Sequence, residues 1–344
     1  MKHSNVAIFV PHVGCPHKCA FCDQHKITGS SLLPHKKEVD NACDTAIRYG
    51  TDPNHSEIAF FGGSFTAIPH DYMLELLDAA YEYVNNGLFK GIRISTRPDY
   101  IDDQTLELLK SRGVTSIELG AQSLCDDVLE ANERGHTKDD VVNASELIKK
   151  YGFELGLQMM VGLYKSTKKS ELYTMEQIIV LSPKTVRIYP VVVLEDTKLA
   201  QLYKQGKYEM IPFDEVVTLC GKMMCSFISN GIKVIKLGLH ASELVEKCIV
   251  AGYYHPAFSE LVQSRIVLEK LESYCDNNNC KTLDVTINPK AYSITAGHKK
   301  SNAISLAEKG VKLSIKSDNE LEKYQIRING ELTDVFKIIG DSGI

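Results

Sequence analysis

Short runs of β-branched and aromatic residues alternate along the chain with longer stretches whose apolar residues recur three and four positions apart. The runs at 6–10, 57–61, 91–95, 114–119, 153–159 and 185–189 have the length and composition of strands. Amphipathic segments lie between them. Asp71-Tyr72-Met73-Leu74-Glu75-Leu76-Leu77 and Asp102-Asp103-Gln104-Thr105-Leu106-Glu107-Leu108-Leu109-Lys110 each open with acidic residues suited to a helix N-terminus. Six strand-then-helix units predict parallel pairing, because parallel neighbours need a crossover connection and the crossover is right-handed. The expected fold class is α/β: a partly open (β/α)6 barrel with its chemistry at the C-terminal strand ends.

After residue 189 the alternation loosens into helices around 196–205 and 213–230, a strand at 232–237, and further helix to 274. The expected organisation is a barrel core over 1–195 and a helical closing or lid region over 196–280. The polar run Asp276-Asn277-Asn278-Asn279 predicts a break, followed by a small α/β domain over 281–344.

The 344 residues are 44% hydrophobic and 24% charged, the balance of a folded globular protein. A net charge of −5 provides no global positive field for nucleic acid or an anionic membrane, so any such binding must be local. The C-terminal piece runs the other way: from Lys281 there are ten basic and eight acidic residues, against 29 and 36 before it. No apolar run approaches the roughly 20 residues of a membrane span, and no secretory signal opens the chain, so a cytoplasmic protein with no membrane partner is expected. Its ten cysteines are then thiols that serve as core residues, metal ligands or reactive groups.

Their spacing distinguishes three of them. The first strand leads into Gly14-Cys15-Pro16-His17-Lys18-Cys19-Ala20-Phe21-Cys22, a Cys-x3-Cys-x2-Cys loop. Cys15, Cys19 and Cys22 suit three irons of a 4Fe-4S cube whose fourth iron stays open. The alternative is zinc completed by His12, His17 or His25. Cys275 with Cys280, and Cys220 with Cys225, lack a third partner nearby, so no auxiliary cluster is expected.

With Phe21 before the last cysteine, the loop resembles that of the radical S-adenosylmethionine (SAM) superfamily, and the resemblance runs from about residue 6 to about residue 193. It implies SAM chelated to the open iron, cleavage to a 5′-deoxyadenosyl radical, hydrogen abstraction from substrate, and an electron donor such as flavodoxin or ferredoxin. Gly62-Gly63-Ser64 sits where the family has a Gly-Gly-Glu-like turn against the SAM ammonium, with Ser64 replacing the acidic residue. Ser95-Thr96-Arg97-Pro98-Asp99, Glu118-Leu119-Gly120-Ala121-Gln122-Ser123 and Arg134-Gly135-His136-Thr137 resemble, in this order, the radical-SAM half of Elongator catalytic subunits, which modify wobble uridine in tRNA. Oxygen-independent coproporphyrinogen oxidases share a looser form.

The resemblance implies that Gln122 contacts SAM and Arg134 its carboxylate, while Ser95 departs from a glutamate and removes part of a ribose or amine contact. Leu157-Gln158-Met159-Met160-Val161-Gly162-Leu163 matches the fifth-strand end, with Met160 and Gly162 expected against adenine. Arg187 either meets an anionic substrate or pairs with an acidic neighbour such as Glu118. The roughly sixty C-terminal residues are too few for the acetyltransferase domain of Elongator subunits, so the acetyl-CoA reaction is not implied.

The C-terminal piece reads as strand, helix, loop, helix, strand and resembles the minimal KH RNA-binding motif. Gly297-His298-Lys299-Lys300 stands at its Gly-x-x-Gly loop, with Lys300 in place of the second glycine. Gly297, Lys299 and Lys300 are therefore the candidate contacts to tRNA or another RNA. His240, Tyr253, Tyr254 and His255 fall in the expected lid and are candidates for proton or hydrogen relay. The leading expectation is a radical SAM enzyme acting on RNA. The alternatives are radical chemistry on a small metabolite, or an RNA-binding iron-sulfur sensor without turnover.

Overall fold

The structure, a computed structural model, describes residues 4–11, 15, 18–23, 33–239 and 246–336. They form two compact units, one lying within 1–210 and 241–252, the other within 211–240 and 253–344.

In the first unit β1 (Ser4–Val10), α1 (Lys36–Arg48), β2 (Ser56–Gly62), α2 (His70–Asn85), β3 (Gly91–Thr96), α3 (Asp103–Ser111), β4 (Val114–Gln122), α4 (Asp126–Ala131), α5 (Lys138–Lys150), β5 (Glu154–Val161), α6 (Lys168–Leu181) and β6 (Thr185–Pro190) follow in sequence. The six strands pair in chain order, all parallel. This is the expected open (β/α)6 arrangement, and the expected strands are matched to within one to three residues at each end. Helix starts follow local chemistry. The Asp102 side chain caps α3 by accepting from the Thr105 amide, and Thr137 with Asp140 closes a capping box on α5.

The period-two alternation of strands separates the sheet's faces. Ile8, Ile58, Phe60, Ile92, Ile94, Ile117, Leu119, Leu155, Leu157, Val186 and Ile188 are buried under the helices. The concave face is polar: register aligns Ala59 with Arg93, Ser95 with Glu118, Gly120 with Gln158, and Met160 with Tyr189.

After β6 come β7 (Val192–Leu194), α7 (Lys198–Lys204), α8 (Phe213–Ser229), β8 (Lys233–Leu237) and β9 (Ile249–Gly252). β7 and β9 form an antiparallel ribbon in the first unit, while α8 and β8 belong to the second. The second unit continues with α9 (Phe258–Asn278), β10 (Thr282–Ile287), α10 (Tyr292–Ala296), α11 (Ser301–Glu308), β11 (Lys312–Ser317), β12 (Gln325–Ile328) and β13 (Glu331–Asp334). Its sheet is mixed, in the order β11-β10-β12-β13, with β10 parallel to β11.

The run 276–279 is not a break after a finished helix. α9 continues through Asn278, and Asn279 ends it in the left-handed conformation at φ 48°. Buried Asn302 ties α9 to the helical pair beside it. Its amide nitrogen donates to the carbonyls of Ser264, Ile294 and Thr295, and its oxygen accepts from the Ser264 hydroxyl.

Candidate active site at the strand ends

The described part of the cysteine loop is held in place by backbone bonds. Ala20 N–H donates to the Asn132 carbonyl at 3.0 Å, and its own carbonyl accepts from Leu199 N–H at 2.7 Å. Asn132 is buried and its amide reaches the Val128 and Tyr164 carbonyls, so the loop rests on the end of α4. Cys22 N–H closes a turn onto the Cys19 carbonyl, and Ala20 and Phe21 are buried.

Around it lie the C-terminal ends of β2, β3 and β4. Gly62 has φ +121°, and a Cβ there would stand 2.4 Å from the Val10 carbonyl oxygen, so only glycine fits between β1 and β2. Gly63 N–H donates to that same oxygen. Ser64 is buried; its hydroxyl lies 2.9 Å from the Thr96 hydroxyl and accepts from Arg97 N–H. The Ser64 backbone also reaches Cys15. Burial pushes the Cys15 thiol up, opposed by that hydrogen bond and by the Arg134 and Arg97 charges.

Arg134, buried, bridges loop and barrel: Nη1 donates to Cys19 Sγ at 3.0 Å and Nη2 to the Gly120 carbonyl at 2.8 Å. Its Nε is buried with no partner among the described residues. Arg97 grips Asp99 through two 2.9 Å bonds and donates to the Arg134 carbonyl. Gln122 ends β4 at φ +63°, with Ser123 N–H bonded to the Ala121 carbonyl across it, a γ-turn of the strained kind. Its side-chain oxygen accepts from Gln158 Nε2 at 3.1 Å. His136 Nε2 donates to the Ala121 carbonyl, and its Nδ1 is buried without a partner among the described residues. Burial, with the Arg134 and Arg97 charges, lowers this imidazole to about 4, so it is neutral at pH 7.

At the fifth strand Met160 lies on the concave face, whereas Met159 is buried on the helix side. Gly162 takes φ +83°; its N–H donates to Glu171 Oε1 at 2.7 Å and its carbonyl accepts from the Tyr208 hydroxyl. Glu171 is buried, and burial raises its carboxyl to about 7 against the hydrogen bonds from Ser166, Gly162 and Leu163. Ser95 sits on the concave face beside Glu118.

Deeper in the concave face is a charge ladder. Arg93 donates to Glu57, Glu118 and Glu154 at 2.8, 3.1 and 3.1 Å. Arg187 donates twice to Glu118, at 2.6 and 3.0 Å, and stacks over Phe61. Of the two roles open to Arg187, the structure therefore displays pairing with Glu118. Burial pushes the Glu57 carboxyl up, but Arg93, Thr115 and Ser116 outweigh it and hold the group below its usual range.

The remaining candidates belong to the second unit. Tyr253 is buried there. His255 accepts from Ala257 N–H through Nδ1 and meets the His298 ring edge-on at 5.5 Å, so one of the relay candidates touches the candidate RNA loop. Gly297 has φ +84°, and a Cβ on it would fall 2.4 Å from Ser301 Oγ. Lys299 and Lys300 are exposed. His240 lies outside the described residues, as do His12, His17 and His25. Among the described residues no three Cys, His or acidic side chains group as ligands of a single ion. Sequence reasoning did not single out Arg97, Asp99, Thr96 or His136 as site residues. The available signal was the place of Thr96, Arg97 and Asp99 at the end of β3, and for His136 its nearness in sequence to Arg134.

A radical SAM superfamily model matches residues 9–178, and a model of the radical SAM C-terminal domain matches 183–267. The chain belongs to the radical SAM superfamily. It is 27% identical over 241 residues to a tRNA uridine(34) acetyltransferase of Dehalococcoides mccartyi, covering 60% of this chain and 52% of that protein. It is 28% identical over 188 residues to Elongator complex protein 3 of Homo sapiens, covering 49% of this chain and 34% of that one. The match thus spans about half of the first relative and a third of the second. The Elp3 structure from Methanocaldococcus infernus, lacking its N-terminus, aligns with a TM-score of 0.61 at 19% identity over 82% of this chain and 65% of its own, and shares the fold. No helix among the described residues is long and apolar enough to cross a membrane.

Proposed function

We propose that this enzyme uses Cys15, Cys19 and Cys22 to hold a 4Fe-4S cluster, binds SAM across the ends of β2, β4 and β5, and modifies an RNA, with tRNA as the leading substrate. The observation that carries the site assignment is Arg134, whose guanidinium spans Cys19 Sγ and the Gly120 carbonyl and keeps one buried N–H unspent. Three thiols on one short loop, with a guanidinium on the sulfur of Cys19, suit an anionic iron-sulfur cofactor next to a carboxylate ligand. When bound, cluster and SAM supply a 5′-deoxyadenosyl radical for hydrogen abstraction.

This chain's residues do the rest by placement. At this strand end Gly62 is required by the β1 backbone and Gly63 N–H is spent on the Val10 carbonyl, so Ser64, lacking a carboxylate, leaves the SAM ammonium to backbone carbonyls. Gln122, held by Gln158, orients an amide toward the same end, and Met160 offers apolar wall for adenine. Phe21 is buried within the cysteine loop, while Ser95 keeps only a hydroxyl on the concave face. The Arg93–Glu118–Arg187 ladder holds the strands in register beneath the reaction space.

An RNA substrate is supported by the Dehalococcoides mccartyi relative, named a tRNA uridine(34) acetyltransferase, and by the loop at 297–300. Lys300 stands where a Gly-x-x-Gly loop has its second glycine and takes φ +65°, the left-handed conformation glycine favours. That leaves Lys299 and Lys300 exposed for phosphates, a KH-like arrangement.

Anaerobic reconstitution should give about four irons per chain, lost on Cys15→Ala, Cys19→Ala or Cys22→Ala. Mass spectrometry of tRNA nucleosides from cells with and without the protein tests the substrate. Stoichiometric zinc without SAM cleavage under reduction overturns the first part, and identical nucleoside profiles the second.

A further inference from the structure

The second unit contains a cavity of about 350 Å³ whose lining gathers Lys236 from β8, Lys290 from the turn before α10 and Lys323 from the β11–β12 connection. Such a volume is within the range of small-ligand sites. Among the described residues of its wall, the only carboxylate is that of Glu260. Lys236 is already engaged within the chain, so the balance rests on Lys290 and Lys323: two ammonium groups from distant parts of the chain against one carboxylate leave a local positive excess on a protein of net charge −5. Like charges held together in this way favour entry of an anion.

The walls suit a phosphate rather than a bare halide. Ser259 Oγ accepts from Gln263 Nε2 at 3.0 Å, which leaves the serine hydroxyl hydrogen free to donate, and Ser293 adds a second hydroxyl. Lys323 meets the neutral Tyr324 side chain, its hydroxyl at 2.7 Å and its ring at 4.5 Å, and no carboxylate among the described residues lies within ion-pair distance of Lys290 or Lys323. Pro256, Leu237 and Leu239 add apolar surface to the same lining. Ammonium groups, hydroxyl donors and apolar surface are together the recognition elements of a phosphorylated nucleoside.

We propose that this cavity is a nucleotide phosphate site, distinct from the Lys299–Lys300 loop and from the cysteine-bearing strand ends. The phosphate is either that of a free nucleotide or a backbone phosphate of RNA. The site does not require the radical chemistry, so its failure and that of the enzymatic reading are separable.

The test uses the full chain with three probes: inorganic phosphate, adenosine 5′-monophosphate and a short single-stranded RNA. Lys290 and Lys323 are exposed, so Lys290→Gln with Lys323→Gln leaves the core intact. The double variant should weaken binding of the probe that occupies the site by tenfold or more. Glu260→Gln should strengthen it, because the opposing carboxylate is gone. For RNA the salt slope should fall by about 0.7 for each replaced lysine that neutralises a phosphate in the wild type. Weakening confined to RNA identifies a backbone phosphate, and weakening with adenosine monophosphate identifies a free nucleotide. If the double variant and Glu260→Gln both bind all three probes as wild type does, the proposal is overturned.

Discussion

Arg134 donates to the sulfur of Cys19 at 3.0 Å while its other terminal nitrogen holds the Gly120 carbonyl at 2.8 Å. One guanidinium thereby ties a cysteine loop to the end of β4 and faces the space between. The planar fork is what permits two directed bonds from one side chain, and an ammonium cannot reproduce it. Arg134→Lys should leave iron content unchanged, since all three thiols remain. Formation of 5′-deoxyadenosine from SAM under reduction should fall about tenfold or more, the effect of losing a charge-assisted hydrogen bond of roughly 1.5–3 kcal/mol. Cleavage at the wild-type rate would remove Arg134 from the proposed SAM site.

The β1–β2 contact at Gly62 predicts a steric result. Gly62→Ala meets both an unfavourable φ of +121° and the Val10 carbonyl oxygen at 2.4 Å, which is backbone and cannot swing away. Gly152 also has positive φ, +84°, but nothing lies within 4 Å of a Cβ there. Gly152→Ala should therefore cost only the conformational penalty, about 1–2 kcal/mol. Gly62→Ala should add an overpacking cost of about 1–3 kcal/mol to it. Urea midpoints compare the two. Equal shifts would mean that β1 and β2 separate freely at this end.

The ladder on the concave face predicts an asymmetry between its two arginines. Arg93 serves Glu57, Glu118 and Glu154, so Arg93→Met takes the guanidinium from buried Glu57 and from half-buried Glu154, while Glu118 keeps Arg187. Removing one member of a buried pair costs about 3–5 kcal/mol. Arg187→Met leaves Glu118 still paired with Arg93 and should cost clearly less. Thermal unfolding of the two variants, side by side, decides it. A larger loss for Arg187→Met contradicts the geometry.

These examples also delimit what the chain discloses before folding. The outer face of each strand was legible because its apolar residues alternate with others, and Ile58-Ala59-Phe60 or Leu155-Gly156-Leu157 leaves little choice of element. The ladder was less so. Arg93 and Glu118 each interrupt an apolar strand, but which pairs with which depends on strand register, a long-range property. The cysteines and Gly62 could be singled out because local spacing carries their chemistry. Arg97 and His136 could not, since the Arg134 and Ala121 carbonyls they hold are brought to them by the fold. The β12–β13 hairpin goes beyond the expected elements; its signal was Asn329-Gly330, both at positive φ, between strands too polar to stand out. The polar tail of α9 misleads in the opposite sense, because exposed turns of a long helix tolerate Asp and Asn.

Two buried titratable groups predict opposing pH dependences in the first unit. Burial raises Glu171 to about 7, so between an ordinary carboxyl value near 4.5 and 7 the folded chain keeps a proton that the unfolded chain has released. Its contribution is fully present below that window and is lost as pH rises through it. His136 is lowered to about 4 by burial, Arg134 and Arg97, so between 4 and an ordinary value near 6.5 the unfolded chain binds a proton that the folded chain refuses. Its contribution is present above 6.5 and is lost as pH falls. Each window is worth on the order of 3 kcal/mol, and where they overlap the slopes cancel. Single variants should expose them. Glu171→Gln keeps an acceptor for Gly162 N–H, and the stability difference, wild type minus variant, should fall as pH rises from about 4.5 to 7. His136→Gln keeps a donor for the Ala121 carbonyl, and the same difference should rise from about pH 4 to 6.5. Taking differences at each pH removes groups common to both proteins. Urea unfolding across pH 4–8 measures them, and two flat difference curves would mean that neither group is buried in the unfavourable charge state.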